Sequence, residues 1–192
     1  MSHQLCSFAE LLTLSYPVNA NVEIRACRSR ERGLGLFASQ RITAGLKILS
    51  EETFLVDETR DDMIAGIGHE FATMPLASQA LFTRLFAGRH DMVPHMEFGP
   101  DRDQDSVSMA RLQQIVRLNS IEGAGIGCVI SPAVSGINHD CIPNAYAYYN
   151  SETGVVAVHA LQVIQPGQEV TISYLQDDVY LESGERQDRL VN

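Results

Sequence analysis

The feature that most constrains the fold is a change in hydrophobic periodicity along the chain, from alternating to helical and back. Residues 21–56 partly alternate apolar and polar side chains between glycines, which predicts short β-strands. Residues 57–118 place Leu, Met, Phe and Ala at helical spacing, and alternation returns in residues 119–176. Residues 177–192 predict a terminal helix with Ser183 as its N-cap. Because no βαβ repeat appears, the sequence predicts a mainly β, α+β fold with a helical insertion.

The length of 192 residues suits one domain, and we expect a single domain over residues 1–192. Inside the insertion, Asp105 or Ser106 is predicted to cap a helix with the apolar residues Met109, Leu112, Ile115 and Val116. No apolar run approaches the ~20 residues that a membrane span needs, so we expect no membrane partner.

The charge and the cysteines limit the classes of partner. The formal net charge of −10 argues against direct nucleic-acid binding, which draws on Lys and Arg clusters. It would suit a cationic partner such as a lysine-rich peptide, although simple solubility also explains it. The cysteines, which form no C-x-x-C pair, are Cys6, Cys27, Cys128 and Cys141. They predict a reduced intracellular protein, nuclear or cytoplasmic, and they disfavour a closed zinc site built from this chain alone.

The stretch "NHDC", from Asn138 to Cys141, places an amide, an imidazole, a carboxylate and a thiol on successive residues. From these residues alone, four interpretations stay open: a metal site, a Cys–His nucleophile pair, a polar turn with a buried cysteine, and a backbone crossing that holds a cofactor. The glycines at Gly33 and Gly35 do not complete a dinucleotide-binding or phosphate-binding loop motif.

Three separated stretches, taken together, resemble the SET domain of protein-lysine methyltransferases. They are "RGLGLFASQRITAG" at 32–45, "NHDCIPNA" at 138–145 and "GQEVTISY" at 167–174. In addition, "LNSI" at 118–121 is similar to the Asn-Ser step of the subgroup that carries a MYND zinc finger, and of its fungal relatives. The resemblance implies a fold of short curled sheets with a knot-like C-terminal crossing. It also implies transfer of a methyl group from S-adenosylmethionine to a protein lysine.

The resemblance also implies roles for single residues. Those expected to bind S-adenosylmethionine are Arg32, Gly33, Leu34, Gly35, Asn119, Ser135, Ile137, Asn138 and His139. The two glycines would let the backbone approach the ligand closely, because they lack a Cβ atom. Within the crossing, Pro143 and Asn144 are expected to fix a turn, with Asn144 bonding locally.

Tyr174 is the residue expected to act in the chemistry. A tyrosine hydroxyl and backbone carbonyls can align a lysine amine and stabilise a polarised methyl group through weak C–H···O contacts. Three further tyrosines, Tyr146, Tyr148 and Tyr149, are expected to pack within a strand and against the lysine channel.

The sequence departs from the family in its cysteines. No C-x-C-x-x-C follows the terminal helix, and the insertion at 57–118 has no cysteine, so we expect neither a post-SET zinc cluster nor a MYND finger. Cys141 would then lack zinc-binding partners in this chain, and cofactor affinity would be weakened. Two alternatives to a methyltransferase therefore stay open: a non-catalytic interaction module, and a SET-like protein acting on a small molecule. Homo-oligomerisation could complete the site.

Overall fold

The computed structural model describes residues 21–27, 33–83, 85, 107–123 and 127–174. Its strands are β1 (Val22–Ala26), β2 (Leu34–Ala38), β3 (Lys47–Glu52), β4 (Leu55–Asp57), β5 (Ser120–Gly123), β6 (Gly127–Ile130), β7 (Ala145–Asn150), β8 (Val155–Ala160) and β9 (Glu169–Val170). Its helices are α1 (Arg60–Thr73), α2 (Leu76–Phe82), α3 (Met109–Asn119) and α4 (Pro132–Ser135). Arg32, Asp105, Ser106, Ser183 and the predicted terminal helix lie outside the described residues.

The described strands form three small antiparallel sheets. Their orders are β1-β2-β9, β3-β8-β7 and β4-β6-β5. The prediction of a mainly β, α+β fold with short sheets and a helical insertion is confirmed. None of the helices in the described ranges combines the length and the apolar character needed to cross a bilayer.

Local sequence signals explain where the helices begin and end. Thr59 caps α1, because its hydroxyl accepts a hydrogen bond from the backbone N–H of Asp62 at 3.1 Å. Helix α1 ends at Thr73, two residues before Pro75, since proline disfavours helical geometry in the residue that precedes it, here Met74. Helix α3 is capped by Ser108, whose hydroxyl accepts from the N–H of Arg111 at 3.3 Å. The prediction of Asp105 or Ser106 as this cap is therefore wrong by two or three positions.

Two hydrophobic clusters form the core, and strand β6 contributes to both. One cluster is built mainly from the sheets β1-β2-β9 and β3-β8-β7. The other joins helices α1, α2 and α3 to the sheet β4-β6-β5. Because successive side chains of a strand point to opposite faces, Val129 enters the first cluster while Cys128 and Ile130 enter the second. The helical insertion is thereby fixed against the β-sheet part of the molecule.

The segments 138–145 and 169–174 lie side by side and are joined by backbone hydrogen bonds, and we call this pair of segments the crossing. Ile172 N–H donates to the carbonyl of Asn138 at 3.1 Å, and Asp140 N–H donates to the carbonyl of Ile172 at 3.0 Å. The Asn144 amide adds a bridge: its Nδ2 donates to the carbonyl of Glu169 at 2.7 Å, and its Oδ1 accepts from Thr171 N–H at 2.9 Å. The prediction that Asn144 bonds locally is wrong, since both partners lie more than 20 residues away.

Candidate functional site

The amide of Asn138 connects three segments that are distant in sequence. Its Nδ2 lies 3.0 Å from the carbonyl oxygen of Leu34 and 2.7 Å from Oε1 of Glu169. The same nitrogen lies 3.3 Å from the sulfur of Cys27, which is itself 3.4 Å from Oε1 of Glu169. The bond to an ionisable carboxyl is stronger than a neutral amide bond when that carboxyl is charged. This side chain therefore holds the start of β2 against the crossing segments.

Gly35 sits where those side chains converge. A Cβ atom at this position would lie 2.6 Å from Oε1 of Glu169, and 2.9 Å from both Nδ2 of Asn138 and the sulfur of Cys27. Any larger residue at position 35 would thus collide with these three side chains, in addition to the predicted need for the backbone to approach a ligand. Gly33 has a different reason, because its φ of +64° lies in the left-handed region that side chains disfavour.

Tyr174 contacts the crossing through both its backbone and its side chain. Its hydroxyl donates to the carbonyl oxygen of Ile137 at 2.8 Å, and its backbone N–H donates to Nδ1 of His139 at 3.0 Å. Because Nδ1 accepts this bond, the neutral imidazole of His139 carries its proton on Nε2. Nε2 lies 3.3 Å from the sulfur of Cys141 and donates to it. The rings of His139 and Tyr174 are 5.3 Å apart, so the phenol is fixed from two sides.

Asn119 and Ser135 lie together on the neighbouring elements α3 and α4. The hydroxyl of Ser135 lies 3.1 Å from the carbonyl of Asn119 and 2.9 Å from that of Ser131. The Asn119 side chain is buried, and its Nδ2 donates to the carbonyl of Ile115 at 2.7 Å. Asn119 therefore stabilises the end of α3, and Ser135 connects this helix to the residues that lead into the crossing.

The structure brings most of the predicted site residues into one region. Residues 137–139 are consecutive, and they contact Leu34 on one side and Tyr174 on the other. Ser135 connects Asn119 to the same segment. Among the described residues, no group of three or more His, Cys, Asp or Glu side chains has an arrangement that could hold a metal ion.

The pattern of the SET domain family matches residues 33–175, which is more than half of the chain. The chain belongs to the SET domain family. The described sheets, the crossing and Tyr174 all lie within the matched residues, apart from β1, which precedes them.

Curated relatives place this SET domain within the family. It is 34% identical to the N-lysine methyltransferase SMYD2 of Bos taurus over 102 residues, which are 53% of this chain and 22% of SMYD2. It is 27% identical to the histone-lysine N-methyltransferase set5 of Schizosaccharomyces pombe over 157 residues, which are 81% of this chain and 42% of set5. The predicted likeness to the MYND-bearing subgroup and to fungal relatives is confirmed. The chain spans less than half the length of either relative.

Three acidic or thiol residues of this SET domain were not predicted from the sequence. Cys27 and Glu169 surround Asn138, and Glu51 is buried beneath α4. Glu169 lies inside the stretch "GQEVTISY", so that motif was the signal that could have identified it. Burial raises the pKa of Glu51 above its usual range, and hydrogen bonds from Ser131 and the backbone of α4 only partly oppose this.

Proposed function

We propose that this SET domain transfers a methyl group from S-adenosylmethionine to the side-chain amine of a protein lysine. The observation that carries the proposal is the bond from the Tyr174 hydroxyl to the Ile137 carbonyl, next to the contact between Asn138 and Leu34. The phenol bonds to the carbonyl of the residue that precedes Asn138, and the resemblance assigns the Asn138 amide to the cofactor. Methyltransferases among its relatives support the same reaction.

The groups around Asn138 suit S-adenosylmethionine. Within the described ranges, Oδ1 of Asn138 accepts no hydrogen bond, so it can accept one from the ammonium group of the methionine part. The carboxyl group of Glu169 is nearby and favours a cation in its ionised form. The side chain of Leu34 is 45% exposed and offers apolar surface beside these polar groups. Gly33, Gly35, Asn119, Ser135, Ile137 and His139 complete the proposed set, with Arg32 outside the described residues.

Tyr174 has the role of aligning the reacting atoms. S-adenosylmethionine, when bound, would supply an activated methyl group, which would pass from its sulfur to the lysine nitrogen and leave S-adenosylhomocysteine. Before that step the lysine ammonium must lose a proton to water, because it has no lone pair. The hydroxyl proton of Tyr174 is used in the bond to Ile137, so the lone pairs of its oxygen can face the amine or the methyl hydrogens. This holds the amine in line without a strong base.

The proposed substrate is a basic, lysine-containing protein segment. A net charge of −10 attracts such a segment and raises its rate of encounter, most strongly at low salt. The same charge disfavours direct contact with nucleic acid.

Two conservative tyrosine variants test the proposal. Tyr174 and Tyr148 are each 49% exposed, so Tyr148→Phe is a matched control for Tyr174→Phe. We expect both variants to bind S-adenosylhomocysteine like the wild type in calorimetry. We expect Tyr174→Phe to transfer labelled methyl to lysine-containing basic peptides about 100-fold more slowly, the usual scale for losing one aligned polar group. Tyr148 is expected at the wall of the lysine channel and not at the reacting atoms, so Tyr148→Phe should stay within about threefold of the wild-type rate.

The outcomes separate the alternatives. Failure of the wild-type chain to bind S-adenosylhomocysteine would refute cofactor use and favour an interaction module. Binding without transfer to any peptide would refute the lysine reaction and favour a small-molecule substrate. Equal rates for the two variants would show that the Tyr174 hydroxyl has no part in the chemistry.

A further inference from the structure

The short helix α4 begins without a cap from its own N-cap side chain. Ser131 occupies the N-cap position but makes no side-chain bond to the helix. Its hydroxyl instead donates to Oε1 of Glu51 at 2.6 Å. Pro132 follows and has no N–H, so the next backbone donors of the first turn need an acceptor from elsewhere.

Glu51 of strand β3 supplies that acceptor. Its Oε1 accepts from the backbone N–H of Val134 at 2.8 Å, in addition to the hydroxyl of Ser131. The residue is only 2% exposed, so its position is set by packing on all sides. One carboxyl oxygen on β3 therefore does for α4 what an N-cap side chain normally does.

Two further bonds connect α4 to the reactive phenol. The N–H of Ile137 donates to the carbonyl of Val134 at 2.9 Å, and the carbonyl of Ile137 accepts from the Tyr174 hydroxyl at 2.8 Å. Ser135, inside the same turn, bonds to the carbonyl of Asn119. The path from Glu51 to Tyr174 thus consists of three hydrogen bonds and passes through Ile137, one of the residues proposed to hold the cofactor.

We infer that Glu51 is a positioning residue, which fixes the segment from Val134 to Ile137 and through it the cofactor-binding residues and the Tyr174 hydroxyl. The effect of Glu51 on ligand binding rests on the proposed function. The effect of Glu51 on the segment from Val134 to Ile137 does not depend on that function.

The energetic cost of Glu51 supports this role. Its second oxygen, Oε2, is buried and has no hydrogen-bond partner among the described residues. Burial also raises the pKa of Glu51, which shows that the charged form is disfavoured here. A buried polar atom without a partner destabilises the fold, so an apolar side chain would be the more stable choice for packing alone. What Glu51 adds is the directional bond of Oε1 to the start of α4.

Variants at Glu51 test the inference in the full chain. Glu51→Gln keeps an oxygen where Oε1 accepts, whereas Glu51→Ala removes it. We expect Glu51→Ala to raise the Kd for S-adenosylhomocysteine about tenfold, which corresponds to the loss of one well-made hydrogen bond, and Glu51→Gln to stay within about twofold of the wild type. Hydrogen exchange at the amides of residues 133–137 should accelerate in the Ala variant and not in the Gln variant.

Ile67→Ala controls for a general loss of stability. Ile67 is fully buried in the hydrophobic cluster that joins helices α1, α2 and α3 to the sheet β4-β6-β5, so this change destabilises the protein away from α4. We expect it to leave the Kd and the exchange at residues 133–137 unchanged in the folded protein. If Glu51→Ala does not fold, Ser131→Ala replaces it; that change removes one of the two bonds to Oε1 and should raise the Kd about threefold.

The inference is overturned if Glu51→Ala has the wild-type Kd for S-adenosylhomocysteine and the wild-type exchange rates at residues 133–137. It is also overturned if Glu51→Gln raises the Kd as much as Glu51→Ala does, or if Ile67→Ala raises it equally. A wild-type chain that binds no S-adenosylhomocysteine would refute the proposed function instead. The exchange rates at residues 133–137 would then still decide whether Glu51 fixes this segment.

Discussion

Replacing Gly35 with alanine tests the contact at the centre of the candidate site. Ordinary van der Waals contact begins at 3.4 Å, yet the added Cβ would meet Glu169 at 2.6 Å, and Asn138 and Cys27 at 2.9 Å each. At least one of these three side chains must therefore move by roughly half an ångström or more. The backbone does not resist the change, because Gly35 is not among the glycines with positive φ.

The magnitude follows from the bonds that would be strained. Nδ2 of Asn138 donates to Leu34 and to Glu169, and each such bond contributes about 1 kcal/mol net, more where the carboxylate is charged. Alanine offsets about 0.4–1 kcal/mol of this by reducing the freedom of the unfolded chain. We expect a net loss of about 1–2 kcal/mol in the free energy of unfolding, and about tenfold weaker binding of S-adenosylhomocysteine.

Urea unfolding and calorimetry check these values, and Gly66→Ala is the matched control. Gly66 lies inside α1, and a Cβ there would meet nothing within 4 Å, so alanine should stabilise the protein by about 0.5–1 kcal/mol. A Gly35→Ala protein that is as stable as the wild type, and binds the ligand equally well, would refute the described packing around Asn138.

Three other substitutions address the crossing, the buried acid and a helix cap. Asn144→Ala should lower the free energy of unfolding in urea by about 2–4 kcal/mol, because it leaves the N–H of Thr171 without its acceptor; a loss below about 0.5 kcal/mol would contradict the bridge. Because the pKa of Glu51 is raised above 4.5, the folded protein keeps a proton that the unfolded chain releases, so urea unfolding at successive pH values should show stability falling as pH rises from 4.5. Glu51→Gln should remove that fall, and an unchanged pH profile would contradict the assignment. Thr59→Ala should lower the free energy of unfolding by about 1 kcal/mol, because it removes the N-cap bond to the backbone N–H of Asp62 in α1. A Tm unchanged in thermal unfolding would argue against this cap.

Some of the site could be predicted because its residues occur in contiguous motifs. "NHDCIPNA" and "GQEVTISY" each carry a run of residues whose order is specific, so the crossing was expected, and Tyr174 was proposed for the chemistry, without any knowledge of the contacts. Period-two alternation also explains strand β7, in which Ala145, Ala147 and Tyr149 face inward. The same rule leaves Tyr146 and Tyr148 half exposed, so only Tyr149 of the three tyrosines packs fully within the sheet.

Other features depend on geometry that no local pattern contains. Strand β3 has a register shift between Lys47 and Leu49, after which both Ile48 and Leu49 are buried and Glu51 turns inward. A regular alternation does not reveal that shift, so the buried acid could not be recognised. The sequence before α3 holds several hydroxyl and carboxyl residues that could serve as the cap, and local pattern alone did not single out Ser108 among them. The reason for Gly35 depends on Cys27 and Glu169, which are far apart in sequence.

The pairing of segments 138–145 and 169–174 has a consequence for synthesis. The side chain of Asn138 bonds to Leu34, which is synthesised before it, and to Glu169, which is synthesised after it. The carbonyl of Ile137 accepts a hydrogen bond from Tyr174, which is also synthesised later. A nascent chain that still has residues 169–174 inside the ribosome can pair β7 with β8, because that hairpin is local. It cannot yet form the contacts of Asn138 and Ile137 with residues 169–174. The contacts that the proposed ligand site depends on can therefore form only after residue 174 has left the ribosome, and slow non-local closure sets the pace of their formation.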